Sequence, residues 1–225
     1  MKTPFFKAVL SIVRKDIQIE LRSRELVSSM GLFALLSILI FSFALELDRT
    51  ARQEAISGVL WVTVVFASIL GLNRSLAMER DQGNLDAMLL APIDRVAIFF
   101  GKLAGNLVFA LVVGLLLLPI MTILYNQNLI RPWLLLVLLL GTFGFATIGT
   151  LLAMMTVQTR ARESLLPIVM MPVALPVLLA AVRASTNILA QNPIADWIAW
   201  PQILVVVDIV YLVACYLLFE YVIEE

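Results

Sequence analysis

The stretch MERDQGNLDAMLLAPIDR, Met78 to Arg95, sets four acids (Glu79, Asp81, Asp86 and Asp94) and two arginines (Arg80 and Arg95) between two long apolar tracts. The flanks decide the fold. Of the 225 residues, 62% are hydrophobic and only 14% charged, with a mean hydropathy of +1.01. A soluble domain of this length needs far more polar surface. Tracts near or above the ~20 apolar residues that cross a bilayer as a helix recur along the whole chain.

Six such tracts are expected, at about Leu26–Leu45, Ala55–Ala77, Val96–Tyr125, Trp133–Val157, Leu165–Val182 and Gln202–Val222. Without water to satisfy loose backbone groups, helix is the form they take. The reading is an all-α polytopic membrane protein, one transmembrane domain over residues 1–225. Met1–Arg24 mixes charge with apolar side chains, so no cleavable signal peptide is expected. With the N-terminus inside, internal segments hold twelve Lys and Arg and external ones only four, Arg49, Arg52, Arg131 and Arg183. That asymmetry predicts a cytoplasmic N-terminus. Trp133, Trp197 and Trp200 then fall near external boundaries, where interfacial aromatics concentrate.

Residues 1–25 precede the first span and are amphipathic at helical spacing. Phe6, Val9, Val13, Ile17 and Leu21 share one face, and Lys7, Arg14, Gln18, Arg22 and Glu25 the other. Such a helix rests in the cytoplasmic interface. It serves either as a plain anchor, the preferred reading, or as an elbow that moves during a transport cycle.

On this topology the 78–95 segment is cytoplasmic. Gln82-Gly83-Asn84 interrupts helix. Asn84 or Asp86 would cap a short helix that stops at Ala91, before Pro92. Leu85, Met88, Leu89 and Leu90 beside Asp81 and Asp86 suit docking into a partner's groove. Spacing alone supports an ordinary polar connector equally.

Resemblance tips that balance. An apolar span, then Glu-Arg-Asp-x-Gly-x-Leu-Asp-x-Met-Leu-Leu-x-Pro, then Gly101-Lys102 opening the next span, resembles the cytoplasmic loop of ABC-2-type export permeases. Within that group the chain is similar to the haem exporter B subunit of the cytochrome c maturation system. Its length, the stretch GVLWVTVVFASILGLNRSLAMERDQG and the proline-spaced run LLPIVMMPVALP agree with that subunit. The resemblance implies a coupling surface for a separate ATP-binding subunit, formed by Glu79, Gly83, Leu85, Asp86, Leu89 and Pro92. It also implies two copies of the chain with two ATPase subunits, further cytochrome c maturation membrane subunits and a haem chaperone as partners, and a bacterial cytoplasmic (inner) membrane location. ATP would be used by the partner and haem handled by the complex, with no cofactor bound directly and no nucleic-acid partner. An ABC-2-type exporter of lipid, drug or polysaccharide is the alternative.

Other classes are disfavoured. No G-x-x-x-x-G-K-[ST] phosphate loop occurs, so any ATPase lies elsewhere. The chain has no histidine and one cysteine, Cys215, which removes the commonest catalytic base and metal ligand and any internal disulfide. No metal site and no catalytic residues are expected. Asp208 stands within ILVVVDIVYLV at a cost of a few kcal/mol unless paired or wet. An ion pair with Arg183, a carboxylate that reaches water, and a role on a substrate path are its three readings. Pro167, Pro172 and Pro176 each remove a backbone donor, which predicts a kinked or partly broken fifth span. Irregular packing is preferred over a mid-membrane path as its purpose. Gly141, Gly144, Ala146, Gly149 and Thr150 allow close helix approach in the fourth span.

Overall fold

The computed structural model describes residues 4–45, 49–81, 83–156 and 162–224. Among these the secondary structure is helical throughout: α1 (Phe5–Ser23), α2 (Glu25–Ala44), α3 (Arg49–Asp81), α4 (Asn84–Leu90), α5 (Arg95–Tyr125), α6 (Pro132–Thr156), α7 (Arg162–Leu189), α8 (Ile194–Trp197) and α9 (Ala199–Glu224). Six helices are long and apolar enough to cross a membrane. They match the six expected tracts. The outer surface is apolar as well, with Ile40, Ile123, Leu179 and Val206 each more than half exposed.

Helix α6 sits at the centre, packed on α3, α5, α7 and α9. Its glycines explain why. A Cβ on Gly141 would strike the Trp61 ring of α3, one on Gly144 the Asp208 carboxylate of α9, and one on Gly149 Met170 of α7 and Leu72 of α3. The small-residue stripe thus serves packing within the chain, as expected of such residues in membranes. Buried Trp61 donates from its indole nitrogen to Ser185 Oγ of α7 at 2.9 Å, which satisfies a donor no lipid could.

Two helices depart from expectation. Helix α7 runs unbroken through Pro167, Pro172 and Pro176 and continues past Val182 to Leu189. A neighbour can serve backbone groups near a helical proline, and here the Tyr211 hydroxyl of α9 donates to the Val173 carbonyl, within the turn that Pro176 disturbs. Helix α4 begins after Gly83, whose φ of +67° is left-handed, and has no side-chain cap. The break is made by glycine's backbone freedom rather than by Asn84 or Asp86. Its other end agrees with expectation, since Ala91 is extended before Pro92.

The two ends of the bundle differ in chemistry. At one, Arg131 and Gln127 of the α5–α6 turn donate to the carbonyls of Ile188 and Leu189, and the rings of Trp133 and Trp197 meet edge to face at 5.3 Å. At the other lie α1, α4 and a cluster of buried charges.

Candidate functional site

The cluster is assembled by α1. This helix turns Ala8, Ile12, Asp16 and Glu20 onto the protein, a stripe of spacing four. The expected apolar face is the outward one: Phe6 and Leu21 are exposed, and Val9, Val13 and Ile17 are only half-buried. The buried face therefore carries two acids, which the apolar reading of this helix missed. Helix α5 is cut to receive them. A Cβ at Gly101 would lie 2.8 Å from Ile12 Cβ, and one at Gly105 would lie 3.1 Å from Asp16 Oδ2.

Between these glycines Lys102 is 1% exposed, among the most buried large side chains of the protein. Its ammonium lies 2.8 Å from Asp16 Oδ2 and also pairs with Glu79 Oε1 at the end of α3. Lys15 engages the same two acids, Asp16 Oδ1 at 3.2 Å and Glu79 Oε1. Burying such charges is tolerable only because each has an opposite partner in contact. Burial lowers the pKa of Lys15, but the hydrogen bond and charge of Glu79, with Asp16, outweigh it and hold the ammonium above its usual range. Met88 of α4 adds its sulfur 3.9 Å from Lys15 Nζ. Three segments distant in sequence thus meet at one point: the amphipathic helix, the end of α3 with α4, and the Gly-Lys of α5.

Glu20 has a different task. Arg24 joins α1 to α2 in the left-handed conformation, φ 55°. The Glu20 carboxylate accepts from Val27 N at 2.8 Å and Leu26 N at 3.2 Å, capping the first turn of α2 across the bend. Arg74 of α3 pairs with Glu25 at 2.7 Å on the surface beside it.

Of the loop residues singled out in the sequence, Glu79 belongs to this network, while Gly83 and Pro92 are exposed. The side chains of Leu85, Asp86 and Leu89 lie outside the described residues. Leu90 is 87% exposed, so α4 presents an apolar residue outward. Asp94 caps α5, accepting from Val96 N at 3.1 Å.

Asp208 and Arg183 are not brought together. Asp208 is 4% exposed, its Oδ1 standing where a Cβ on Gly144 would lie, and neither carboxylate oxygen has a hydrogen-bond partner among the described residues. Arg183 is exposed. The pairing fails because α7 continues past Arg183 and turns that residue outward, while Asp208 faces α6. Pro172 and Pro176 are exposed and Pro167 is half-buried.

The chain is 26% identical over 195 residues to "Heme exporter protein B" of Rhodobacter capsulatus, covering 82% of this chain and 87% of that protein. It is 27% identical over 186 residues to the protein of that name from Bradyrhizobium diazoefficiens, covering 81% and 82%. For that of Haemophilus influenzae the figures are 27% over 175 residues, covering 76% and 78%. The family described as "CcmB protein" matches residues 7–219. With nearly its whole length so matched, the chain belongs to the CcmB protein family.

Proposed function

We propose that this chain is the membrane permease subunit of an ABC transporter for haem export in c-type cytochrome biogenesis. It lies in the bacterial cytoplasmic membrane as one permease domain, with the α1 and α4 end facing the cytoplasm. There it docks a separate ATP-binding subunit, two copies of each forming the transporter. ATP hydrolysis belongs to that partner; this chain supplies the path of force and carries out no bond chemistry. Other cytochrome c maturation subunits and a haem chaperone complete the surroundings.

The observation that supports the coupling role best is the Lys15–Asp16–Glu79–Lys102 network. A partner pressing on α4 acts next to Glu79. Through two ammonium groups that displacement reaches α5 and α1 directly, without crossing a compliant apolar contact. Gly83 gives the loop a bend that leaves α3 intact up to Asp81. The buried pairs favour a unit that moves as a whole, because separating one charge from its partners in this setting costs several kcal/mol. The chain contains no histidine to ligate haem, and the mechanical part proposed for it is the same whether haem itself crosses or a loaded chaperone is released.

The test is deletion of this gene in its host, followed by haem staining of c-type cytochromes. Covalent haem should vanish and return with the parent gene, but not with one carrying Gly83→Pro and Asp86→Arg. Co-purification of the ATP-binding subunit should be lost in the same variant. Normal cytochrome levels in the deletion strain would overturn the proposal.

A further inference from the structure

Helix α1 has three faces, and the protein covers only one of them. Its buried stripe is Ala8, Ile12, Asp16 and Glu20. At 3.6 residues per turn, the next row around the helix is Val13, Phe6, Ile17, Leu10 and Leu21, followed by Arg14, Lys7, Ser11 and Arg22. In the apolar row Phe6 is 84% exposed, and Leu10 and Leu21 are each 69% exposed. Lys7, Ser11, Arg14 and Arg22 are exposed beside them.

The charges of this helix are sorted by face. Both of its acids are turned inward, Asp16 held by Lys15 and Lys102 and Glu20 by the backbone N–H groups of α2. The exposed surface keeps Lys7, Arg14 and Arg22 and no acid. None of these three cations has an ion-pair partner among the described residues. Arg24, in the left-handed bend that follows, is exposed as well. A helix bathed only in water gains nothing from a row of large apolar side chains, and one among acyl chains cannot carry unpaired cations. Two such rows side by side suit the boundary between those media. Arg14 and Lys7 lie nearest the apolar row, where their long stems can run along it and set the charged ends at headgroup depth.

We propose that the outward side of α1 binds the anionic headgroups of the bilayer around it. Phe6, Leu10 and Leu21 enter the acyl boundary, while Lys7, Arg14 and Arg22 pair with the acidic lipids. A soluble acidic partner is disfavoured because the apolar row accompanies the cations along the whole helix, from Phe6 to Arg22. Helix α1 is then held from two sides, inward by the Lys102–Asp16 pair and outward by lipid charge. Lipid composition thereby acts on the same helix that meets Glu79. The inference rests on the membrane reading of the chain and not on its haem or ATPase assignment.

Hydrogen exchange of the full-length permease tests it, in nanodiscs of phosphatidylcholine alone or of phosphatidylcholine mixed with phosphatidylglycerol. Each cation near an anionic surface strengthens attachment about fivefold, so the amides of α1 should exchange about tenfold more slowly or better with phosphatidylglycerol present. The external turn from Gln127 to Arg131 should not respond. Lys7→Gln, Arg14→Gln and Arg22→Gln together should erase the difference, with the melting temperature in phosphatidylcholine unchanged. In the parent, about 1 M salt should erase it too, since screening then acts within ~3 Å; this arm carries the test if the triple variant does not fold. Equal exchange of α1 in the two lipids, or a difference that survives in the folded variant or in high salt, overturns the proposal. So does a folded variant that keeps the lipid effect but no longer retains the ATP-binding subunit, which would assign the cations to that partner. Both leaflets of the nanodisc carry the same lipid and the readout is local to α1, so failure of the cytochrome assay leaves this result standing.

Discussion

Lys102 Nζ and Asp16 Oδ2 meet at 2.8 Å across 86 residues of sequence, with Lys102 enclosed by the protein. An amphipathic helix that only rested on the membrane would have no use for such a contact. The pairing makes α1 part of the bundle, fixed to α5 by charge and by the glycine seats at Gly101 and Gly105.

Removing that ammonium should therefore be costly. Lys102→Met leaves Asp16 and Glu79 facing each other with only half-exposed Lys15 between them. Loss of one partner of a buried pair costs about 3–5 kcal/mol, so thermal unfolding in detergent should shift down sharply. Adding Asp16→Asn and Glu79→Gln should recover much of the loss, because the uncompensated charge is what destabilises. A Lys102→Met protein that melts with its parent would show that the network contributes nothing.

Glu20→Ala should cost about 1–2 kcal/mol, the usual value of an N-terminal cap. It strips the acceptor from Leu26 N and Val27 N while leaving Asp16 and Lys102 paired. Glu20→Gln keeps an acceptor oxygen and should fall between. The two variants, compared by melting temperature, separate the cap from the ion network.

Much of this was legible in the sequence, and the residues show why. Apolar length depends on composition over tens of residues, which the chain displays openly. The 78–95 loop announced itself through Gly83 and Pro92. The network did not, because Lys15 and Asp16 look like the solvated side of an amphipathic helix, and Glu79 is 64 positions from Lys15. A signal was present: Ala8, Ile12, Asp16 and Glu20 repeat every fourth residue, a second stripe beside the apolar one. The surroundings of Asp208 were not readable, since they depend on how α9 is rotated against α6, and that rotation is set by packing.

The raised pKa of Lys15 carries a pH prediction. A lysine whose folded pKa exceeds its ordinary value of 10.5 gives its full stabilisation below that value and loses it as pH rises through the higher folded value. Stability attributable to this residue should thus be flat through neutral pH and decline only in strong alkali. Lys15→Met should flatten the alkaline limb of a melting-temperature profile relative to the parent. An identical alkaline limb in the variant would contradict the assignment.

Gly83→Ala probes backbone alone, because a Cβ there meets nothing within 4 Å while φ is +67°. The expected cost is about 1–2 kcal/mol, that of a left-handed alanine, felt as a loop that relaxes toward helix. Gly83→Asn, which tolerates this conformation better, should cost less. Global melting should change little in either variant, and pull-down of the ATP-binding subunit should weaken for alanine before asparagine. Equal pull-down for all three proteins would remove the hinge from the coupling argument.

Gly144 and Asp208 give the sharpest test of helix packing. A Cβ on Gly144 would occupy the place of the Asp208 carboxylate and would lie 3.2 Å from Val177 Cγ2. Aspartate is short and fixed on α9, so Gly144→Ala must displace the helix rather than a flexible tip. Overpacking of this kind costs about 1–3 kcal/mol. Asp208→Ala alone should be neutral or stabilising, because it removes a buried carboxyl that no described residue satisfies. In the double variant the two changes should compensate, with a coupling energy of about 0.5–3 kcal/mol between residues in contact. Haem staining of the same strains then separates structure from function. If Asp208→Ala folds at least as well as the parent yet abolishes covalent haem, the carboxyl acts on the transport path. If cytochromes are unaffected, Asp208 is a packing element that Gly144 exists to admit.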